Sequence, residues 1–446
     1  MDLTANKKET GKNVLMGLQM IFVAFGSLVL VPLLTGLDPS VALFTAGVGT
    51  LIFQVVTKWK VPIFLASSFA FIPAITYGIA AWGLPSTLCG LAAAGLFYVV
   101  LSIAIRYFGV GIIHRVFPPI VVGPVIAIIG LSLAPTAVSM ALGQSGDVQV
   151  IPVETALTIA GISLAATLAV FLFAKGILKL IPVLVGIVVG YIVSLAMGVV
   201  DMSSFFESSI IAVPHFVLPE WNLAAILFIV PVAIAPAIEH FGDILTIGSV
   251  TGKDYLADPG IHRTMLGDGI ATFFASFVGG PPNTTYSEVT GAVALTKAFN
   301  PVIMTFAAIF AIIFAFVGKI GGFLQTIPNP VMGGVMILLF GLIASLGINQ
   351  LILNKVNLSS AKNIVIVSLI LVAGLGGLFI PIGDFQLAGI GLAAVIGVVL
   401  NLIIPGEKEE EHVVGDKGAT ISNSSFGKVL YLHIKCVPSS VTIPLT

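Results

Sequence analysis

The stretch GGPPNTTYSEVTGAVALT, residues 279 to 296, places an acid, Glu288, behind Gly, Pro, Asn and Thr and directly before an apolar run. Gly and Pro disfavour helix, and Thr favours extended backbone. The first half therefore predicts a short extended piece, and the second half predicts a short helix. If this segment lies in a membrane, its extended backbone must be buried in protein or line a cavity, because lipid offers no hydrogen-bond partners.

The composition of the whole chain indicates a membrane protein. Of its 446 residues, 58% are hydrophobic and only 9% are charged, whereas a soluble domain carries about 25% charged residues. Apolar runs of ~20 residues, the length of a membrane-spanning helix, recur along the chain. Because 19 basic residues balance 20 acidic ones, the net charge suggests no nucleic-acid partner.

Polar or Gly/Pro breaks divide the chain into about fourteen candidate spans. If the N-terminus is cytoplasmic and the spans alternate, 18 of the 19 basic residues fall inside and only Lys319 falls outside. Basic residues favour the cytoplasmic side. We therefore predict a multi-pass protein of the inner (plasma) membrane with both termini in the cytoplasm. The candidate spans are 14–34, 40–57, 61–79, 86–105, 117–138, 153–174, 180–199, 222–247, 261–278, 284–298, 300–318, 328–346, 361–380 and 386–405.

Two segments repeat at a constant offset of 211 residues, namely PIVVGPVIAIIGL (119–131) and PVMGGVMILLFGL (330–342). They are spans five and twelve, and an odd number of spans per repeat inverts the second copy. Inverted repeats are a transporter architecture, with the substrate site near the membrane midplane. The alternative is chance agreement between apolar segments rich in Gly and Pro.

Inverted repeats predict that broken spans come in pairs. VPIFLASSFAFIPAITYG (61–78) is span three, and NTTYSEVTGAVALT (283–296) is span ten, again seven apart. Each predicts a short β piece followed by a half helix, and the two β pieces can pair with each other. Their free backbone groups, and the positive N-terminal ends of the half helices, would then face a polar ligand.

Span eight carries two acids in PAIEHFGDIL. Glu239 and Asp243 are four residues apart and share one helix face. An acid at the bilayer centre costs about 2.5–3.5 kcal/mol on insertion scales, so it is a functional candidate. With Glu288 they form a predicted cluster, although Asp243 could instead cap or orient the broken helix. His240, the next residue along the helix, points about 100° away from Glu239 around the helix axis. It is expected to pack behind the site.

The sequence argues against an enzyme. The histidines form no HxxxH or HExxH pattern, and there is no GxSxG, Walker or dinucleotide-binding sequence. We predict no metal and no cofactor. Asp268, in LGDGIATFF, is expected to bond backbone groups near its flanking glycines.

Three motifs together resemble the nucleobase–ascorbate transporter (nucleobase–cation symporter-2) family, uracil permease type: EHFGD in span eight, PNTTYSE followed by GAVALTK in span ten, and SSFAF in span three. The resemblance covers about 14–405. It implies an all-α polytopic protein with fourteen transmembrane segments as 7+7 inverted repeats, and short antiparallel β pieces in spans three and ten. It also implies a homodimer in the lipid bilayer. The implied divisions are a core domain (14–108 and 222–320), a gate domain (109–200 and 326–405) and a cytoplasmic tail (406–446).

By this resemblance, Glu239 would hold the ring N–H groups of the base and Glu288 would be a second acid on the ligand. The backbone N–H groups of Phe69 and Ser287 would bond the ring carbonyls. The Phe69 ring would help wall the site, and Tyr286 would line it.

Further residues have implied roles around the ligand. Asp243, coupled to Glu239, occupies a position linked to proton coupling. His240, Ser27 and Phe340 would lie behind the residues that contact the ligand. The chain departs from the family pattern at three positions, with Val289 after the span-ten acid, Met20 after Gln19, and Phe340 at a position where Tyr occurs among uracil permeases.

Together these features predict a secondary active transporter that imports uracil by proton symport through alternating access. Two carboxylates and two backbone N–H groups complement the two N–H donors and two carbonyls of uracil. One alternative is a purine-base symporter for xanthine, guanine or hypoxanthine. A second is an anion transporter or channel on the same fold, since helix N-termini also suit anions. The sequence does not exclude sodium, in place of a proton, as the coupling ion.

Overall fold

The computed structural model describes residues 3–109, 111–382 and 385–405. The predicted tail, 406–446, lies outside the described residues. The helices are α1 (Leu3–Thr35), α2 (Pro39–Val56), α3 (Ile72–Trp82), α4 (Leu84–Phe108), α5 (Gly111–Val116), α6 (Pro119–Ala141), α7 (Val153–Phe173), α8 (Pro182–Ala196), α9 (Ser203–Glu207), α10 (Leu223–Ile229), α11 (Ile234–Thr251), α12 (Ile261–Phe277), α13 (Ser287–Thr296), α14 (Val302–Ala315), α15 (Gly318–Gln325), α16 (Asn329–Leu353), α17 (Ala361–Leu375) and α18 (Gly389–Ile403). The strands are β1 (Leu65–Ser67), β2 (Gln144–Ser145), β3 (Val148–Gln149), β4 (Asn283–Thr285), β5 (Phe379–Ile382) and β6 (Phe385–Ala388).

The described residues make a mostly helical membrane protein. Seven helical segments are long and apolar enough to cross a bilayer: Thr10–Thr35, Pro39–Val56, Leu84–Phe108, Pro119–Ala141, Val153–Phe173, Leu223–Thr251 and Asn329–Leu353. Five shorter apolar helices overlap other predicted spans: Phe69–Trp82, Pro182–Ala196, Val302–Ala315, Ala361–Leu375 and Gly389–Ile403. The count of fourteen spans stays a prediction.

Spans three and ten are broken, and their extended pieces pair. Strands β1 and β4 run antiparallel, with Leu65 opposite Thr285 and Ser67 opposite Asn283. The predicted pairing of the two β pieces is confirmed. Neighbouring helices satisfy the outer edges of this small ribbon: the Leu65 N–H donates to Thr50 Oγ1 of α2 at 2.9 Å, and Thr272 Oγ1 of α12 donates to the Asn283 carbonyl at 2.5 Å.

A helical segment follows each of the paired strands. After β1, a 3₁₀ turn (Phe69–Phe71) leads into α3, and after β4 the chain enters α13 at Ser287. Because the two strands are antiparallel, the chain leaves the crossing in opposite directions through α3 and α13. The first amides of each helical turn have no partner within the helix.

Span eight is interrupted between α10 and α11. A 3₁₀ turn, Val230–Ala233, contains Pro231, which cannot donate a backbone hydrogen bond to the preceding turn. The break precedes Glu239 by two helical turns and brings the N-terminal half of α11 against the β1–β4 crossing. Helix α11 packs on α13, β4 and α12.

The helices form two packed sets. In one set α12 packs on α4 and α2, while α14 packs on α2 and α1. In the other, α16 packs on α6, α7 and α8, while α17 packs on α18 and α6. The site described below lies where these two sets meet.

The repeated segments are the helices α6 and α16, which cross closely. A Cβ at Gly130 of α6 would clash with the backbone of Phe340 and Ala344 of α16. Its counterpart at the 211-residue offset, Gly341, has nothing within 4 Å of an added Cβ. The matched glycines therefore have different surroundings, and the inverted repeat stays a prediction.

Candidate functional site

A cavity of about 40 Å³ lies between the β1–β4 crossing and helices α6, α11, α13 and α16. One wall is polar and carries two carboxylates, and the facing wall is aliphatic. The lining residues are Ser67, Ser68, Phe69, Ala70, Ile126, Ile129, Glu239, Thr284, Thr285, Tyr286, Ser287, Glu288, Ile343 and Leu346.

The structure brings all five residues predicted to bind the ligand to this cavity: Phe69, Glu239, Tyr286, Ser287 and Glu288. Phe69 and Tyr286 are buried, Glu239 and Ser287 are half-buried, and Glu288 is exposed. Three separate stretches of chain meet here, because the crossing of β1 and β4 lies beside α11.

Two backbone amides complete the polar wall. Phe69 begins the 3₁₀ turn after β1, and Ser287 begins α13. Amides at such first positions have no intrahelical acceptor, and the helix dipole adds partial positive charge there. The cavity is thus lined by two carboxylates and by the first residues of two helical segments, whose N–H groups have no acceptor within their own helix.

Asp243 lies behind the cavity wall and is buried, with 4% of its surface exposed. Its Oδ2 accepts a hydrogen bond from Thr285 Oγ1 at 2.7 Å, and its Oδ1 accepts one from Ser287 Oγ at 2.5 Å. Asp243 therefore joins α11 to both sides of the β4–α13 junction. This geometry agrees with the orienting role that the sequence left open for Asp243.

His240 faces away from the cavity, as its helix position predicts, and is fully buried. His240 Nε2 shares a 3.0 Å hydrogen bond with the Thr264 hydroxyl, which also lies 3.0 Å from the Ile261 carbonyl. On the other side of the ring, His240 Nδ1 lies 3.2 Å from Asp268 Oδ2.

The expectation that Asp268 bonds backbone groups near its glycines is wrong. Its Oδ2 lies near His240 and is 3.5 Å from Thr284 Oγ1. Helix α12 packs against α11, so a side-chain partner across the interface replaces the local backbone partners. Only the packing of these two helices could reveal this partner.

Ser27 and Phe340 lie behind the aromatic residues of the wall. The Phe340 ring meets Phe69 edge-to-face, with centroids 6.2 Å apart and an interplanar angle of 81°. Ser27 Oγ of α1 donates to the Ala24 carbonyl of its own helix at 3.3 Å. Both Ser27 and Phe340 are buried, and neither lines the cavity.

Sequence reasoning missed the two threonines of the NTTYSE motif. Neighbouring strand residues point to opposite faces, and Thr285 accordingly reaches Asp243 while Thr284 reaches toward Asp268. Two adjacent hydroxyls on a predicted extended piece beside buried acids were the available signal. Among the described residues, no group of three or more His, Cys, Asp or Glu could hold a metal ion.

This architecture, with two broken helical segments crossing beside buried acids, is that of a membrane transporter. The fold resembles the transmembrane domain of the cyanobacterial bicarbonate transporter BicA, with a TM-score of 0.60 and 17% identity over 88% of this chain and 96% of that one. It also resembles SLC26A9, with a TM-score of 0.60 and 14% identity over 87% of this chain and 64% of that one. At such identities the likeness concerns the fold alone.

Residues 11–383 match the model of a permease family, and the chain belongs to this family, the nucleobase–ascorbate transporters that its motifs resemble. It is 54% identical to a probable uracil permease of Pasteurella multocida over 89% of this chain and 94% of that protein. It is 44% identical to a uracil permease of Bacillus caldolyticus (91% and 94%) and 37% identical to one of Escherichia coli (92% and 95%). Membership of this family makes the chain a transporter and not an enzyme.

Proposed function

We propose that this protein imports uracil by proton symport through alternating access. The observation that carries the proposal is one cavity lined by Glu239, Glu288 and the first residues of two helical segments, Phe69 and Ser287. The similarity to uracil permeases at 37–54% identity over most of the chain supports the choice of substrate.

The polar groups of the cavity complement uracil. The ring offers two N–H donors and two carbonyl acceptors, to which two carboxylates and the amides of Phe69 and Ser287 correspond. The Phe69 ring supplies an aromatic wall for a flat ligand. A site that hydrogen bonds a ligand in this way rejects analogues that lack the groups, since its own buried groups would lose their partners.

The two alternatives differ in what they require of the cavity. A purine has a second ring and needs more space between the polar wall and the aliphatic wall. An anion favours a basic side chain, and among the described residues that line the cavity none is Lys or Arg. The likeness to BicA and SLC26A9 concerns the fold and does not identify the ligand. The choice of ligand depends on the residues that line the cavity.

For the architecture we propose fourteen transmembrane segments as seven plus seven inverted repeats, with both termini in the cytoplasm at the inner membrane. Residues 14–108 and 222–320 would form the core, and 109–200 and 326–405 the gate, in a protein that forms homodimers. The two packed sets of helices support this division. The charge asymmetry that leaves only Lys319 outside supports the orientation.

Alternating access is supported by the walls of the cavity. Glu239 and Glu288 belong to the proposed core, whereas Ile126 and Ile343 belong to the proposed gate. The aliphatic side chains of the proposed gate thus close over the polar wall of the proposed core. Entry of a ligand between the two walls would require the core to separate from the gate.

Proton coupling is proposed to act through Asp243. As a carboxylate it accepts from Thr285 and Ser287 at once. Protonation converts one of its oxygens into a donor and weakens or reverses the bond that this oxygen accepts. Because the Ser287 amide faces the ligand, such a change would link the proton to the binding geometry. Glu239, one helical turn away, would share the titration.

A competition assay tests the substrate. Cells or vesicles that contain the protein take up labelled uracil in the presence of excess uracil, xanthine or sulfate. Of the three competitors, we expect only unlabelled uracil to abolish the uptake of labelled uracil. If xanthine inhibits uptake as strongly as uracil does, the protein is better explained as a purine-base symporter. Inhibition by sulfate would favour an anion transporter.

A further inference from the structure

A second cavity, of about 120 Å³, lies on the other side of Ala70 from the cavity that contains Glu239 and Glu288. Ala70 lines both cavities, and the two sets of lining residues are otherwise different. The central cavity lies at the strand crossing itself, against residues 67–70 and 284–288, whereas the second cavity lies farther along α3. The second cavity is therefore displaced from the crossing in the direction in which α3 runs.

An apolar contact separates the two cavities. Ala70 is 2% exposed and belongs to one buried cluster with Ile128 and Ile129 of α6 and Ile390 of α18. We call this contact the apolar seal. It joins a short side chain of span three to branched side chains of the proposed gate, so relative movement of core and gate would open it.

The walls of the second cavity can accept a flat ring. Tyr77 of α3 and Phe228 of α10 lie with ring centroids 4.7 Å apart and an interplanar angle of 32°. Trp82 packs edge-on against both rings, which holds them in place. Tyr77 is 43% exposed, so part of its surface is open to a ligand.

One amide side chain faces this aromatic group. Gln386 of β6 lines the cavity and is exposed, and the β5–β6 hairpin holds it opposite Pro381. A carboxamide presents one donor and one acceptor side by side, and such a pair can bond a nucleobase edge that carries N–H and C=O together. The remaining lining residues are apolar: Ala70, Pro73, Ala74, Val232, Ala388, Gly389 and Ile390.

We propose that this second cavity is a transient binding site for the transported heterocycle, in which the ring stacks on Tyr77 and Phe228 and pairs its amide edge with Gln386. The inference rests on the proposed function. By the charge distribution, the hairpin lies on the outer side, so the ligand would bind here before the apolar seal opens. The site would take planar rings with an N–H beside a C=O and would not require the carboxylates of the central cavity.

Protection of an engineered cysteine tests the site. Ala388→Cys is introduced into a chain in which Cys89 and Cys436 are replaced by alanine. A membrane-impermeant maleimide is added to the outside of right-side-out vesicles, with increasing uracil. We expect labelling, and slower labelling as uracil rises. If the introduced cysteine reacts only with maleimide added to the inner side of the membrane, the proposed outer location of the second cavity is wrong.

A second variant separates the two cavities. In Ala388→Cys with Glu239→Gln, the central site is impaired, and we expect protection by uracil to remain. Loss of protection in this double variant would show that uracil acts only through the central cavity, which would overturn the proposal. Adding Tyr77→Ala should weaken protection by about fivefold or more, the effect of losing one stacking contact, and Gln386→Leu should also weaken it. Tyr77→Phe keeps the ring and should retain protection.

Two controls make the result specific. Glu207→Cys lies in the exposed helix α9 outside both cavities, and its labelling should not respond to uracil. Tyr107→Ala removes an exposed aromatic side chain at the far end of α4 and should leave protection unchanged. Uracil uptake by the parent protein is measured in the same vesicles. No uptake would overturn the proposed function, whereas normal uptake without protection would overturn the second site alone.

Discussion

Thr285 Oγ1 donates a 2.7 Å hydrogen bond to Asp243 Oδ2, which connects the strand of one broken segment to the helix that carries the neighbouring acid. The two residues are 42 positions apart in sequence. Ser287, at the start of α13, reaches the other oxygen of the same carboxylate. The acid that the family resemblance links to proton coupling therefore also sets the position of the N-terminal end of α13.

The hydroxyl donors of Asp243 are expected to stabilise the fold. Thr285→Val removes one of them without a large change of shape, and we expect a loss of about 1–3 kcal/mol in the free energy of unfolding, because the buried carboxylate loses a partner. Thermal unfolding of the purified protein in detergent measures the change.

Thr290→Val is the matched control. The Thr290 hydroxyl is buried in α13, the helix that follows Thr285, and has no hydrogen-bond partner, so its replacement by a methyl group should be neutral or stabilising. Equal destabilisation by Thr285→Val and Thr290→Val would contradict the role of the bond to Asp243.

The two acids of the cavity are expected to determine ligand affinity. Glu239→Gln turns one acceptor oxygen into a donor that faces the ring N–H groups, and Glu288→Ala removes the second carboxylate. Hydrogen bonds to charged groups contribute about 1.5–3 kcal/mol, so each change should weaken uracil binding by about 10- to 150-fold. Equilibrium binding to the purified protein measures this, with exposed Glu220→Gln as the unaffected control. Parent-like binding by both variants would mean that the ligand binds elsewhere.

Proton coupling predicts that an acidic exterior drives uptake. In sealed vesicles, the parent should accumulate more uracil with an inward proton gradient than without one. Asp243→Asn cannot gain and lose a proton, so its uptake should no longer respond to the gradient, while exchange of uracil across the membrane continues. Asp258→Asn, at an exposed ion pair with Lys60, should keep the response. A gradient response retained in Asp243→Asn would remove this residue from the coupling mechanism.

The glycines of the two repeated segments give a further prediction. Gly130→Ala inserts a Cβ into the backbone of Phe340 and Ala344 and should destabilise the α6–α16 contact. Gly341→Ala, at the matching position, meets nothing within 4 Å and should be neutral or stabilising by up to about 1 kcal/mol, because alanine favours helix. Thermal unfolding and uptake of both variants test this, and similar losses in both would contradict the observed packing.

Much of the fold could be predicted from local chemistry. The membrane class follows from the scarcity of charge, because only apolar side chains are stable in lipid. The breaks in spans three and ten follow from Pro and small polar residues in otherwise apolar runs, and the pairing of β1 with β4 bears out this interpretation. The acids of EHFGD and SEVTG were recognisable because a carboxylate in an apolar segment needs a partner or a ligand.

The contacts within the site could not be predicted in this way. Sequence spacing shows that Glu239 and Asp243 share a helix face, yet it does not show that one lines the cavity while the other bonds Thr285 and Ser287. The pairing of Asp268 with His240 depends on how α12 packs on α11. The second cavity depends on where the β5–β6 hairpin meets α3 and α10.

The sequence by itself therefore determined the membrane class, the broken segments and the acids beside them. These follow from the free energy of placing each side chain or backbone group in lipid, which is a local property. The tertiary structure alone decided which carboxylate faces the cavity, which hydroxyls hold Asp243, and where the apolar seal closes. Those outcomes depend on distances between segments far apart in the chain, and such distances are set by the packing of whole helices.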